Sequence, residues 1–386
     1  MAWHRTASHR IPLACFHNPD PTTQSHLTPY IVQRRGPHVE PISPSMSDAN
    51  SNRLICVVGA TGNQGGSVAR RFREAGFRVR GLSRNPSSPA AQKLVAEGIE
   101  VVAADLDDVA TLIPVFRGAN VIFSVTQYWE PFMRPDCRKS AEDQGITCRK
   151  FAYDVEYQHG KNITDAAATT VDSLDANGFL VSTLSHAAKC SKGAYTDLYH
   201  FDSKADIYPA YVDDKYPDLA AKMSCIHTGF FFTSFNILPN SYFGKLPDGS
   251  FQTSFATAPD RVVPHFDPVG DMGNFTYAVS QLSPGKAYMA AGTFSSWTSW
   301  INTWSAITGA SASYKQVTPE EMIEMTGDYD LGLEVALMYS YANDPGYDGG
   351  MHLLTADDIR KLGVECPMTT WEAWAKKHDW SPILAS

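Results

Sequence analysis

The sequence holds no run of about 18 apolar residues, so it offers no membrane-spanning helix. It holds no C-x-x-C pair. Its seven cysteines, Cys15, Cys56, Cys137, Cys148, Cys190, Cys225 and Cys366, are odd in number and scattered. That pattern argues against a disulfide framework or a zinc site; it fits reduced thiols in a cytoplasmic or nuclear setting, and no metal site is expected. There is no excess of basic charge either. The formal net charge is -9 and no basic stripe offsets it, which argues against nucleic acid as a direct partner. Apolar side chains make up 43% of the 386 residues, enough core for one large domain or a domain with a smaller lobe.

Residues 1–50 lack periodicity. They are rich in His, Pro, Ser and Thr and read as a disordered or non-native extension. His4, His9, His17, His26 and His38 are irregularly spaced and fit no metal-ligand pattern. No apolar segment of a signal peptide is present. A short polar lead follows Met46, and translation is expected to begin there in the natural protein.

The chain is organised around Leu54-Ile-Cys-Val-Val-Gly-Ala-Thr-Gly-Asn-Gln-Gly-Gly-Ser-Val-Ala69. Leu54 to Val58 reads as a strand buried on both faces. Gly59, Gly62 and Gly65 follow at G-x-x-G-x-x-G spacing. Val68, Ala69 and Phe72 then recur at helical spacing. Strand, glycine turn and helix together predict a dinucleotide site. Gly59 makes the tight turn. Gly62 has no Cβ to hold a pyrophosphate off the backbone. Gly65 lets the helix pack on its strand. The helix N-terminus offers free N–H groups to the phosphates.

Phe77 to Ser83 is the second strand and ends in Arg84-Asn-Pro-Ser-Ser88. About 20 residues beyond the glycines, such a fold meets the adenosine ribose. An acid there would hold a free 2′-OH. Arg84 stands there instead, with no acid near it in the sequence. A guanidinium suits a 2′-phosphate, so the cofactor expected is NADP(H). Asn85, Pro86, Ser87 and Ser88 share the loop and are candidate contacts.

Ala90 to Gly98 reads as a helix, with Leu94 and Val95 inward. Ile99 to Ala104 is the third strand. Asp105-Leu-Asp-Asp108 follows, and an acidic residue leaving the strand there can accept from the adenine amino group. Asp107 or Asp108 caps the helix Val109–Phe116. Asn120 to Val125 is the fourth strand. Ligands of open α/β sheets bind beyond the carboxyl ends of the strands, so Thr126, Gln127 and Tyr128 sit on the expected nicotinamide path.

Residues 132–153 look like an irregular inserted loop over the site. Val155 to Asn177 reads as a helix with a core stripe of Ile163, Ala166, Ala167 and Val171. Phe179 to Thr183 is the fifth strand, with Ser182, Thr183 and Ser185 at its end. A helix from about His200 to Tyr211, a strand Met223 to His227 and the segment Gly229 to Thr233 follow. Asp267 to Leu282 and Thr318 to Tyr341 have helical stretches, and Thr370 to His378 looks like a closing amphipathic helix. The fold expected is α/β: a Rossmann doubly wound parallel sheet over 51–245, intertwined with a smaller mixed α/β substrate lobe over 246–386.

The sequence resembles the NmrA-like family, an atypical branch of the short-chain dehydrogenases/reductases. The resemblance covers about Asn52 to Ser381. It is carried by Gly-Ala-Thr-Gly-Asn-Gln-Gly-Gly-Ser-Val-Ala, Ser-Arg-Asn-Pro, Ala-Asp-Leu-Asp-Asp, Thr-Gln-Tyr-Trp-Glu, Gly-Lys-Asn-Ile-Thr-Asp-Ala-Ala and His-Phe-Asp-Ser-Lys-Ala. Fungal members are common in this form. The resemblance implies that Gly59, Ala60, Thr61, Gly62, Asn63 and Gln64 hold the pyrophosphate. It implies Arg84 on the 2′-phosphate, with Ser88 where a second basic residue often stands. It implies Asp105 and Leu106 at the adenine, and Thr126, Gln127 and Tyr128 beyond the fourth strand. Lys204 matches the family lysine near the nicotinamide ribose. Phe230, Phe231, Phe232 and Thr233 match a segment wrapping the nicotinamide end.

Typical short-chain dehydrogenases place Y-x-x-x-K after the fifth strand, the tyrosine passing the proton. Here His200 stands four residues before Lys204. Histidine can serve as an acid near neutral pH, or it is a bystander. Two literal matches, Tyr157 to Lys161 and Tyr211 to Lys215, fall on the wrong helix or beyond the Lys204 position. In related isoflavone-reductase-like enzymes a lysine alone is the acid or base, which makes Lys204 the catalytic candidate. The bland alternative is a surface lysine paired with Asp202 or Asp206.

Two functions compete. One is an NADP(H)-dependent oxidoreductase acting on a small organic metabolite, in fungal secondary metabolism. The other is an NADP(H)-sensing regulator that binds a partner protein. Lys204 and the aromatic segment Phe230 to Phe235, suited to an apolar pocket, favour the enzyme. The missing tyrosine favours the regulator.

Overall fold

The computed structural model describes residues 50–385. Of the extension expected over 1–50, residues 1–49, with the histidines and Met46, lie outside the described residues; Asn50 is buried and donates to the Ala75 carbonyl at 2.9 Å, so it belongs to the fold. Strands β1 (Leu54–Val57), β2 (Arg78–Ser83), β3 (Glu100–Ala103), β4 (Val121–Ser124), β5 (Phe179–Thr183) and β6 (Met223–Thr228) are joined by β7 (Ala287–Ala290). Their order is β7-β6-β5-β4-β1-β2-β3, and every neighbouring pair is parallel. β1, β4, β5 and β6 are buried along their whole length, as strands covered on both faces must be.

Alternation along β1 divides the core. Ile55 and Val57 face one apolar layer with Val68, Ala69 and Phe72 of helix α1 (Asn63–Glu74). Leu54 and Cys56 face the other. Helix α2 (Pro89–Ala96) closes the edge through Leu94, while Val95, expected inward, is 46% exposed. Helix α3 (Val109–Phe116) joins the second layer.

Residues 132–153 are not irregular. They form α4 (Trp129–Met133), α5 (Pro135–Asp143) and the first turns of α6 (Cys148–Ala168). Pro135 opens α5, and the Thr147 hydroxyl accepts from the Lys150 N–H to cap α6. Their buried face is small: Tyr128, Phe132, Ala141, Cys148 and Ala152 make a separate cluster. So narrow a stripe hides among charged residues. The helix expected over His200 to Tyr211 is broken. α7 (Tyr199–Ala205) keeps α-geometry, but Tyr208 leaves it at φ −121, ψ 106 just before Pro209. A proline crowds its predecessor out of the helical region.

β7 was not legible because Ala-Tyr-Met-Ala has no β-branched residue and no alternation. It carries a segment of the C-terminal half into the main sheet. The remaining strands form two small mixed sheets. One joins Phe230–Phe231, Val262–Phe266 and Thr293–Ser296; the other joins Gly244–Lys245, Phe251–Phe255 and Ala312–Gln316. Between them lies an aromatic core holding Trp297, Trp300, Trp304, Trp371 and Trp380. The Trp300 and Trp371 rings stack at 4.1 Å. The closing helix is only Trp371–Ala375. Helix α8 (Met272–Ser280) covers α1, and α9 (Tyr329–Tyr341) reaches back to α6 and α7.

Two contacts fix how these parts meet. A Cβ on Gly65 would stand 2.2 Å from the Gly59 carbonyl oxygen, so α1 lies against its own turn only because residue 65 is glycine. Glu334 of α9, wholly buried, receives Arg149 Nε at 2.7 Å and His200 Nδ1 at 2.6 Å, and accepts from the His200 backbone N–H at 2.8 Å. Burial raises this carboxyl, but His200 and Arg149 outweigh it and hold it below its usual range.

Gly65→Ala should destabilise the fold by about 1–3 kcal/mol through overpacking, read by urea denaturation. A loss under about 0.5 kcal/mol, an ordinary surface effect, would refute the close approach. Glu334→Gln should cost about 3–5 kcal/mol, because it strands a buried guanidinium. Glu334 is depressed in the fold, so its contribution is complete above the usual carboxylate range and fades as pH falls through its lowered value. A stability–pH curve in which the variant and the parent lose stability in parallel on acidification would contradict this.

Candidate active site

The site lies where the strand order reverses, between β1 and β4. Gly59 takes φ +67, and a Cβ there would meet Val125 Cγ1 at 2.9 Å, so it must be glycine twice over. The Gly62 N–H donates to the Gly59 carbonyl at 2.9 Å and closes the turn. Ala60 is buried; Thr61, Gly62 and Asn63 are exposed. α1 begins after Gly62 with no side-chain cap. Its first N–H groups therefore face outward without intrahelical partners. Donors and dipole end fit a pyrophosphate.

One polar bridge ties the turn to its neighbours, and two more join the segments that leave β2, β4 and β5 around it. The Ser182 hydroxyl at the end of β5 donates to Gln64 Oε1 at 2.8 Å. Lys204 Nζ on α7 donates to the Thr126 carbonyl at 3.3 Å and reaches its hydroxyl at 3.4 Å. Arg84 Nη2, beyond β2, meets Glu130 Oε1 of α4 at 3.1 Å. The acid missing beside Arg84 in sequence is thus present in space, 46 residues away. That corrects the expectation of an arginine without an acid near it.

Lys204 also pairs with Glu156 of α6, whose side chain is wholly buried. The Ser203 hydroxyl donates to the other oxygen of Glu156. Lys204 keeps 15% of its side chain exposed. The expected alternative partners are engaged elsewhere: Asp202 and Asp206 hold His186 at 3.0 and 3.2 Å. Burial lowers His186, but those two carboxylates outweigh it and push it up to about 9.

His200 is buried. Its Nδ1 is on Glu334 and its Nε2 lies 3.3 Å from Met338 Sδ, so neither nitrogen faces the crevice free. The two literal Y-x-x-x-K matches meet away from the strand ends. Lys161 Nζ lies 5.2 Å from the Tyr211 ring centre and 6.0 Å from that of Tyr157.

The adenosine side is built from short turns. Asn85 Oδ1 accepts from the Ser87 N–H at 3.0 Å, the Pro86 carbonyl from Gln92 at 2.8 Å, and Ser88 Oγ from the Ala91 N–H at 3.3 Å. These residues shape the loop, and Arg84 is its one cation. The Asp105 carboxylate accepts from the Asp107 N–H at 3.1 Å, and Asp108 caps α3 through the Ala110 N–H at 2.9 Å. The Leu106 carbonyl is fastened to Asn162 of α6 at 2.7 Å.

Gln127 is exposed, whereas Tyr128 turns wholly inward. Its hydroxyl donates to the Arg149 carbonyl at 3.2 Å, and burial pushes the phenol far above its ordinary value. Phe230 packs among Trp297, Tyr339 and Tyr347, and Phe232 against Trp371 and Trp374. Phe231 faces Phe266, and Thr233 is half-buried. Phe230 and Phe232 are part of the C-terminal aromatic core, while Phe231 packs against the main-sheet layer.

Sequence reasoning left out Glu130, Glu156 and the Gln64 contact of Ser182. Glu156 had a signal: it lies seven residues before Ile163 on the apolar stripe of α6, between Ala152 and Gly160. A carboxylate on a buried face demands a cation. Glu130 had none, since its partner is remote in the chain. Among the described residues no cluster of His, Cys, Asp or Glu could hold a metal ion, and no helix is long and apolar enough to cross a membrane. A cavity of about 340 Å³ beside Thr293, Ser299 and Glu372 is bordered by Trp371 of the aromatic core and by none of the residues expected to hold the dinucleotide.

The chain matches the NmrA-like family over residues 51–375. It is similar to the NmrA-like family domain-containing oxidoreductase of Aspergillus hancockii, 38% identical over 119 residues, which is 31% of each chain. With that of Aspergillus japonicus it shares 27% over 311 residues, 77% of this chain and 86% of the relative. The match thus spans less than a third of the Aspergillus hancockii protein. In structure it is similar to Nmra, a negative transcriptional regulator, with a TM-score of 0.64 at 20% identity over 84% of this chain and 95% of that one. The NADP complex of that regulator gives 0.60 at 18%, over 85% and 95%. An NADPH-dependent quinone oxidoreductase of Escherichia coli gives 0.56 at 18%, over 83% and 98%. These likenesses establish the shared Rossmann-type fold. With the family match running through the main sheet, the crevice and the C-terminal lobe, this chain belongs to the NmrA-like family.

Proposed function

We propose that the chain is an NADP(H)-dependent oxidoreductase acting on a small organic metabolite, in fungal secondary metabolism. The observation that carries this reading is Lys204. Its ammonium is held by Glu156 and by Thr126 beyond β4, the strand next to the one that carries the uncapped glycine turn. The names of the fungal relatives support an oxidoreductase, and Nmra, similar in fold, is solved in complex with NAD and with NADP.

In this reading the turn from Gly59 to Gln64 holds the pyrophosphate, and Arg84 meets the 2′-phosphate. Asp105 and Leu106 border the adenine, and Thr126 and Gln127 border the nicotinamide ribose. The bound dinucleotide supplies or takes up a hydride. The chain's part is positional and acid–base. Glu156, wholly buried, pairs with Lys204 and fixes where its ammonium stands. That ammonium can hold ribose hydroxyls and give a proton to an oxygen that gains charge. His200 is locked on Glu334, which supports its bystander role. The same locked His200, in the place where a proton-passing tyrosine is usual, supports a second reading: an NADP(H) sensor that binds a partner protein.

Lys204→Met should keep most NADPH affinity and lose about 10²–10⁴-fold in NADPH-consuming turnover, screened against a metabolite extract. His200→Gln should cost far less per folded molecule. Full turnover in the lysine variant would overturn the assignment. Unequal binding of NADPH and NADP⁺ with no turnover in the parent protein would favour the sensor.

Arg84→Ala should weaken NADP(H) binding about 10- to 150-fold by removing a charge-assisted hydrogen bond, and leave NAD(H) nearly unchanged. Equal losses for both cofactors in calorimetry would show that Arg84 does not read the 2′-phosphate.

A further inference from the structure

Arg84 and Glu130 hold more than a surface ion pair. Arg84 follows β2 and Glu130 follows β4, the two strands that flank β1 in the sheet. The glycine turn leaves β1 between them. The 3.1 Å contact therefore joins the two sides of the crevice across the strand that carries the phosphate-binding turn.

Glu130 cannot withdraw far. It stands on α4, whose Pro131 and Phe132 are buried and whose Trp129 packs against Tyr128 and His200 at 5.1 and 5.0 Å. Arg84 can move: it is 60% exposed on a loop. Glu130 also has a second cation, Arg134 Nη1 at 3.6 Å, so it stays partly neutralised when Arg84 leaves. The loop from Arg84 to Ser88 offers a 2′-phosphate no other cation. A phosphate arriving there meets a guanidinium already paired and a carboxylate of its own sign.

We propose that Glu130 is a specificity-determining residue: it holds Arg84 across the crevice and sets how strongly the site prefers NADP(H) over NAD(H). Binding of NADP(H) exchanges Arg84 from the Glu130 carboxylate to the 2′-phosphate. NAD(H) has no 2′-phosphate to claim the guanidinium and leaves the pair closed. Glu130 thus narrows a preference that Arg84 alone would make wide. This rests on the reading of Arg84 as the 2′-phosphate ligand, and the experiment separates the two.

The test is calorimetric titration of the full chain and its Glu130→Gln variant with NADP⁺ and with NAD⁺. Releasing an exposed pair and removing one like charge near the phosphate should raise NADP⁺ affinity roughly five- to twentyfold. NAD⁺ affinity should change less than about twofold, within ordinary surface effects. The gain should shrink at high salt, where exposed charges are screened. Unchanged NADP⁺ affinity, or a fall, would overturn the proposal; a fall would mean that Glu130 orients Arg84 rather than competing for it. Arg84→Ala, titrated alongside, distinguishes the failures. If it loses NADP⁺ selectively while Glu130→Gln does nothing, only the Glu130 role fails. If it loses neither cofactor selectively, the 2′-phosphate reading of Arg84 fails first.

Discussion

The geometry of this site depends on two buried carboxylates that grip one short helix. α7 has seven residues, too few to persist by its own hydrogen bonds. Glu156 takes Ser203 and Lys204 from one side; Glu334 takes His200 from the other. A buried carboxylate without partners would cost several kcal/mol, so each grip is enforced by what its loss would leave behind. Lys204 is consequently placed by α6, and His200 by α9 together with Arg149. The helix that bears the candidate proton donor owes its position to distant parts of the chain.

The same charge logic runs along the crevice. The turn from Gly59 to Gln64 contributes no side-chain charge and works through backbone donors. Cationic groups stand at its two ends, Arg84 and Lys204, and each already has a carboxylate partner. The partners differ in burial. Glu156 is wholly buried and its pair with Lys204 is desolvated. Glu130 is half-exposed and its hold on Arg84 is weak and salt-sensitive. One end is built to stay fixed, the other to exchange.

Much of the first half of the chain was legible. Apolar runs and the glycine spacing placed most of the strands from β1 to β6, with β2 marked only by Val79 and Leu82 among arginines, and the capping acids placed α3. Those signals are local: a strand buried on both faces shows itself within five residues. What failed was non-local. β7 is alanine-rich and owes its place to β6. The segment over 132–153 hides a narrow apolar face among charges. Phe230 and Phe232 looked like pocket linings because sequence shows that a ring is apolar, not which way it points. At the site, the glycine turn, Arg84 and Lys204 could be named from spacing and resemblance. Their partners could not, except Glu156, which sat in plain view on the apolar stripe of α6.

The most direct test of the account is the structure of this protein crystallised with NADP⁺. The account predicts the pyrophosphate on the backbone N–H groups that follow Gly59, with Lys204 Nζ in hydrogen-bond reach of the nicotinamide ribose. It also predicts the Arg84 guanidinium on the 2′-phosphate, turned from Glu130. A dinucleotide bound outside the crevice between β1 and β4, or one whose ribose lies beyond the reach of Lys204, would contradict it.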